Sequence, residues 1–176
     1  MSSVAHRKHV ISISLGSSER DAQVAVQLGD VELLVERRGT DGDFAKARQL
    51  VGQYDGKVDA MGLGGTDLYV YAGKERYTFR ESAKLIANVK STPVLDGSGL
   101  KNSLERRLIR KLAGEGTIDF KNKKVFLVCG VDRFGMAEAL QEAGAKLTFG
   151  DLLFGLGLNK PLRSLEALAG WAKVLA

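Results

Sequence analysis

Short apolar runs alternate with glycine-bearing polar loops along this chain, and in the first half their spacing predicts strands more often than helices. His9 to Leu15 (HVISISL) reads as a first strand, stopped by Gly16-Ser17-Ser18. Ala22 to Gln27 and Val31 to Arg37 are β-rich runs on either side of Leu28-Gly29-Asp30, where glycine suits a tight hairpin because it takes positive φ freely. The loop from Gly39 to Asp43 offers N-cap residues for a helix with Phe44, Ala47, Val51 and Tyr54 on one side, which Gly56 ends.

The order then recurs. Val58 to Leu63 is a strand stopped by Gly64-Gly65-Thr66-Asp67; Leu68 to Ala72 and Glu75 to Phe79 form a hairpin around Gly73-Lys74; Ser82 to Val89 is a helix with Ala83, Ile86 and Val89 inward. Two passes of βββα arise from an internal duplication, or simply from a common way of building a mixed sheet.

Thr92 to Leu95 is a short strand, and Asp96-Gly97-Ser98-Gly99 precede a helix that Gly114 ends. Leu100, Leu104, Leu108 and Leu112 recur every four residues there, which predicts an inward apolar stripe with the basic side chains on the solvated face. Val125 to Cys129 is an apolar strand. A glycine loop (Gly130 to Gly135), a helical pattern (Met136, Ala139, Leu140, Ala143) and a second apolar run to Asp151 complete a βαβ unit. A last helix, Leu162 to Leu175, carries Leu165, Leu168, Trp171, Ala172 and Leu175 and ends without a polar tail. Its apolar face calls for burial on the sheet, on a second copy of the chain, or on a further region present in longer relatives.

Together these elements predict an α/β protein with a mixed sheet flanked by helices. A loose tail (1–8) precedes an N-terminal half with two hairpins (9–91) and a C-terminal Rossmann-like half (92–176).

Composition narrows the function classes. The chain has 176 residues, 44% apolar and 27% charged, which suits ordinary globular folding. No apolar run reaches the roughly 18 residues of a membrane span, and no signal-peptide pattern follows the start, so a cytoplasmic protein is expected. The single cysteine, Cys129, rules out an internal disulfide and reads as a buried, inert thiol. A net charge of +5 raises the question of nucleic acid. The aromatic residues do not interleave with basic ones as base-stacking surfaces do, and a solvated helix face accounts for the charge.

Candidate chemistry clusters at the carboxyl ends of the strands, where parallel α/β sheets bind ligands. The loops there contain Ser17 and Ser18; Gly65, Thr66 and Asp67; Asp96 and Ser98; Gly130 to Gly135; and Asp151. Gly130 to Gly135 spells G-V-D-R-F-G, a GxGxxG pattern with Asp132 in place of the middle glycine. Gly130, Asp132, Arg133, Gly135 and Asp151 are thus candidates for binding NAD or NADP, with Asp151 either at the ribose-binding position or capping the next element. Asp132 works against a pyrophosphate: two like charges about 4 Å apart repel by roughly 4 kcal/mol at an effective dielectric of about 20. Arg133 would offset some of that repulsion. Asp67, Asp96, Asp132 and Asp151, if they converged, would suit Mg²⁺, a weaker expectation than their use in turns and caps.

Several stretches taken together (HVISISLGSSERD, ERRGTDGD, VDAMGLGGTDLYVYAGKERYTFR, TPVLDGSGLKNSLER and VDRFGMAEALQEAGAKLTFGDLLFGLGL) resemble an uncharacterised bacterial family commonly labelled quinate 5-dehydrogenase. The resemblance spans nearly the whole chain. It implies a nucleotide-linked oxidoreductase acting on a small polar hydroxy acid, and relatives that continue beyond the last helix; Asp96 and Lys101 are proton-transfer candidates only because they stand close together in the sequence. The Asn-Val-Thr stretch and glycine-alanine nucleotide loop of quinate/shikimate dehydrogenases do not stand in this sequence. The alternative from a different class is a non-catalytic α/β module that binds a nucleotide or an anionic metabolite, as a monomer or through the C-terminal helix as a homo-oligomer.

Overall fold

A computed structural model describes residues 6–175, and the chain forms an α/β fold whose main sheet is mixed and flanked by helices. The described residues divide into two compact units: 6–68 with 80–97, and 69–79 with 98–175.

The first unit is built on β1 (His6–Ser14), which pairs in parallel with β3 (Val31–Gly39) on one side and β4 (Ala60–Gly64) on the other. β2 (Ala22–Leu28) folds back antiparallel on β3 to form the outer edge, and β7 (Val94–Leu95) pairs in parallel with β4 at the opposite edge. The sheet order is therefore β2-β3-β1-β4-β7. Strand β1 begins at His6, so residues 6–8 are sheet rather than tail; residues 1–5 lie outside the described residues. The expected boundary at 91/92 moves to Gly97, because β7 needs β4 as its partner.

Alternation along β1 buries Ile11 and Ile13, and helix α1 (Phe44–Tyr54) lays Ala47 and Val51 into the same core beside Met61 and Leu63. Asp43 caps α1 by accepting from the Lys46 N–H at 2.9 Å. Phe44, expected inward, is exposed because it opens the helix before the buried stripe begins. Helix α2 (Arg80–Ile86) buries Ser82 and Leu85.

Glu36 is a buried charge in the sheet, at 4% exposure. Its carboxylate takes hydrogen bonds from Arg38 Nε (2.6 Å) and Tyr54 Oη (3.3 Å), and His9 Nε2 lies 3.0 Å away. Burial alone would raise its pKa, but the bonds from Arg38, His9 and Tyr54 outweigh that and hold it below the ordinary glutamate value. A depressed folded pKa contributes stability that is complete above the unfolded value and lost as pH falls through the folded one. Glu36→Gln should therefore flatten the acid limb of the stability curve below about pH 5, read by urea melts across pH.

In the second unit, the hairpin β5 (Tyr69–Ala72) and β6 (Glu75–Thr78) is a separate two-stranded sheet. The two βββα passes thus share element order but not tertiary role: β2 and β3 join the main sheet, whereas β5 and β6 do not. Helix α3 (Ser98–Leu100) runs through a π segment (Lys101–Glu105) into α4 (Arg106–Gly114). Then β8 (Lys124–Leu127), α5 (Phe134–Glu142) and β9 (Lys146–Phe149) form a parallel βαβ unit, as the sequence predicts. Helix α6 (Asp151–Leu156) closes at Gly157 in the left-handed region, φ 68°. Helix α7 (Leu165–Leu175) buries Leu168 and Ala172 against the core formed by Val70, Ala72, Phe134, Ala137, Leu140, Phe149 and Leu152. Its apolar face is thus covered within the chain.

The helix from Ser98 to Gly114 inverts the expected amphipathicity. Leu100, Leu104 and Leu108 are 61%, 56% and 51% exposed. The charged face docks instead, through Lys101–Asp132 (2.6 Å), Glu105–Arg133, Arg106–Glu138 (2.5 Å) and a two-pronged Arg110–Glu142 pair at 2.8 and 2.9 Å. Among the apolar residues of this helix, Ile109 packs on the core.

Candidate functional site

Two loop systems carry the predicted site residues, one in each unit. In the first unit the parallel strands run in the order β3-β1-β4-β7, so the chain moves to one side of β1 and then to the other. Such a reversal is where doubly wound sheets open a crevice at the carboxyl ends of the strands. The loops after β1 and β4 meet there: a Cβ placed on Gly65 would lie 3.3 Å from Gly16 N.

The β1 loop is pinned from several sides. Ser18 N–H donates to Asp41 Oδ1 (2.7 Å), Arg37 Nη1 donates to Ser17 O and to Asp21 Oδ1, and Thr40 Oγ1 donates to Ser14 O. The Asp41 carboxyl sits below its ordinary value because it accepts from Ser18. Two guanidinium groups flank Gly16: a Cβ there would meet Arg20 Nη2 at 2.7 Å and Arg37 Nη2 at 3.2 Å. Thr66 and Ser82 share a hydroxyl hydrogen bond of 2.5 Å. Asp96 accepts the Leu68 N–H at 2.6 Å and so braces the segment after Asp67. Hydroxyls, two arginines and Asp67 thus occupy one end of one sheet. Arg20, which completes the arginine pair, has no signal in the sequence beyond its charge; only the fold brings it over Gly16.

In the second unit the glycine loop has a different use from the one its spacing suggests. Asp151 is 3% exposed, and its two carboxylate oxygens accept the N–H groups of Gly130 and Val131, each at 2.8 Å. In the dinucleotide fingerprint the loop and helix N-terminus offer their N–H groups to the pyrophosphate. Here the chain's own carboxylate takes two of them. Asp151 is therefore neither a ribose acid exposed to a ligand nor only a cap; it locks the loop to the start of α6.

The loop glycines serve packing. A Cβ on Gly130 would strike the Phe149 ring, and one on Gly135 would lie 2.9 Å from Asn102 O and Oδ1. Gly135 thereby lets α5 approach the π segment. Asp132 and Arg133 face that segment too, paired with Lys101 and Glu105. Lys101 and Asp132 line a small recess with Ser98, Asn102, Tyr69 and Tyr71, leaving about 10 Å³ of free volume. That is room for about one water. The predicted proton-transfer residues fall in different units, Asp96 in the first and Lys101 in the second, where Asp132 pairs with Lys101.

Cys129 lies beyond the end of β8 and is exposed, not buried within a strand. Partial desolvation of its thiol, helped by the Asp151 and Asp132 carboxylates, raises its pKa above the ordinary thiol value. Among the described residues, no group of three or more His, Cys, Asp or Glu side chains is placed to hold a metal ion, and no helix is long and apolar enough to cross a membrane.

No curated protein and no solved structure matches the chain. Residues 99–176 match a family model described as Domain of unknown function (DUF8754). Residues 9–96, half of the chain, match another, and by that match the protein belongs to the family described as Domain of unknown function (DUF8753).

Proposed function

We propose that the chain is a non-catalytic α/β binding module for a small polyhydroxylated carboxylic acid, held at the strand-order reversal of the first unit. The observation that carries this is the pairing of Arg20 and Arg37 over Gly16 at that reversal. Guanidinium groups bind carboxylates through two parallel N–H···O bonds. Ser17, Ser18, Thr66 and Asp67 suit the hydroxyls of such a ligand, as donors and acceptors. The family resemblance points to the same ligand class.

The second function is an NAD(P)-linked oxidoreductase on that ligand class. It is favoured by the Lys101–Asp132 pair, a lysine and a carboxylate 2.6 Å apart and about three-quarters shielded. Against it stand the occupied N–H pair at Gly130 and the place of Lys101–Asp132 as one rung of a series of ion pairs between helices.

Calorimetry of the intact chain with quinate, shikimate, inorganic phosphate, NAD and NADP separates these. We expect the hydroxy acids to bind without either nucleotide, and Arg20→Ala to weaken them roughly 10- to 100-fold, the loss of a charge-assisted bond worth about 1.5–3 kcal/mol. Hydroxy-acid binding indifferent to Arg20 overturns the site. Nicotinamide-dependent oxidation of quinate overturns the non-catalytic assignment.

A further inference from the structure

The outer strand β2 is unusual as an edge. Its sequence, Ala22-Gln-Val-Ala-Val-Gln-Leu28, has no charge, no proline and no interruption, and all seven residues are exposed. Natural sheets protect such edges with lysines, prolines, bulges or a covering element, because an unpaired row of N–H and C=O groups templates another strand. The opposite edge follows that rule, since β7 has only two residues. Strand β2 does not.

The hairpin fixes which groups face outward. A two-residue turn, Gly29-Asp30, closes on the pair Leu28–Val31, and a closing pair of this kind is hydrogen-bonded. Alternation then turns the backbone groups of Val26, Val24 and Ala22 toward β3. Those of Gln27, Ala25 and Gln23 point to the open side.

The outward set is symmetric about Ala25, and so is the sequence. Reversed about that residue, Gln23 exchanges with Gln27 and Val24 with Val26. We propose that β2 is a pairing edge through which two copies of this chain join antiparallel about a two-fold axis at Ala25, extending the two main sheets into one. Ala25 meets Ala25 of the second copy and Gln23 meets Gln27, each as a hydrogen-bonded pair using only outward groups. Val24 packs beside Val26 of the second copy, on the face that already carries Val35 and Leu33 opposite them. No like charges oppose one another at any of these positions. The contact is isologous, and it closes: the outer edges of the joined sheet are the short β7 strands, which leaves a dimer and not a fibre.

Sedimentation equilibrium of the full chain tests this. The expected mass is twice 19.0 kDa. Ala25→Pro removes only an outward donor, so it should give the monomer with an unchanged far-UV spectrum. A copy carrying Gln23→Lys and Gln27→Lys should also be monomeric, and so should one carrying Gln23→Glu and Gln27→Glu. Mixing the two should restore a dimer, because each lysine then faces a glutamate. A monomeric wild type overturns the proposal. So does a dimer that survives both Ala25→Pro and the lysine pair, or one that is lost on Leu104→Glu while indifferent to changes in β2.

Discussion

Asp151→Ala should destabilise the second unit by about 3–5 kcal/mol, seen as a drop of roughly 12–40 °C in its thermal transition. The change removes an acceptor that is 3% exposed and leaves the N–H groups of Gly130 and Val131 buried without their partner. Losing an ionised acceptor costs more than losing a neutral one, and two donors are orphaned at once. Asp151→Asn should lie between, since its amide accepts one N–H but presents its own donor to the other. Formate or acetate in the buffer should restore part of the loss in the alanine variant, by standing where the carboxylate stood. A calorimetric scan showing an unmoved transition would mean that the loop does not depend on this carboxylate.

Gly39→Ala should cost about 3 kcal/mol and abolish hydroxy-acid binding in the first unit. A Cβ there would lie 2.5 Å from Ser17 O and 2.6 Å from Ser17 C and Ser18 N. These are backbone atoms, so no side-chain rotation relieves the clash. The Gly39 N–H also donates to Asp21 Oδ1, which in turn accepts from Arg37. Displacing the loop therefore moves the serines and one of the two arginines together. Urea denaturation gives the stability loss, and the calorimetric panel gives the binding loss. Retained affinity in a folded Gly39→Ala chain would place the ligand elsewhere.

Local periodicity reveals the elements better than their burial partners. The β8–α5–β9 unit and both hairpins follow from apolar spacing and from glycine at the turns, signals that act within a few residues. The helix around Leu104 defies its own pattern for the opposite reason. A leucine every four residues defines a stripe but not what the stripe faces. Here four cross-helix ion pairs, with Asp132, Arg133, Glu138 and Glu142, decide the docked side. Helix α6 has no helical signature because it is only six residues long, holds Gly155 and is capped at once by Gly157.

For the site, strand-end glycines mark the right loops while their function depends on distant residues. Nothing near Gly130 in sequence announces that Asp151, 21 positions on, fills its N–H groups. The GxGxxG spacing is real, yet Gly130 makes room for Phe149 and Gly135 for Asn102, contacts that no motif encodes.

The hairpin of β5 and β6 lies inside the region matched by the first family model, yet Val70 and Ala72 belong to the core of the second unit, with Leu168 and Ala172. Sequence modules and folding units therefore part company over residues 69–79. Synthesis proceeds from the N-terminus, so the first unit has all its strands once Gly97 has emerged. The hairpin cannot share that early completion. Val70 and Ala72 wait without their core until the ribosome has delivered α7, nearly a hundred residues later, and cutting the gene at the module boundary would leave them waiting for good.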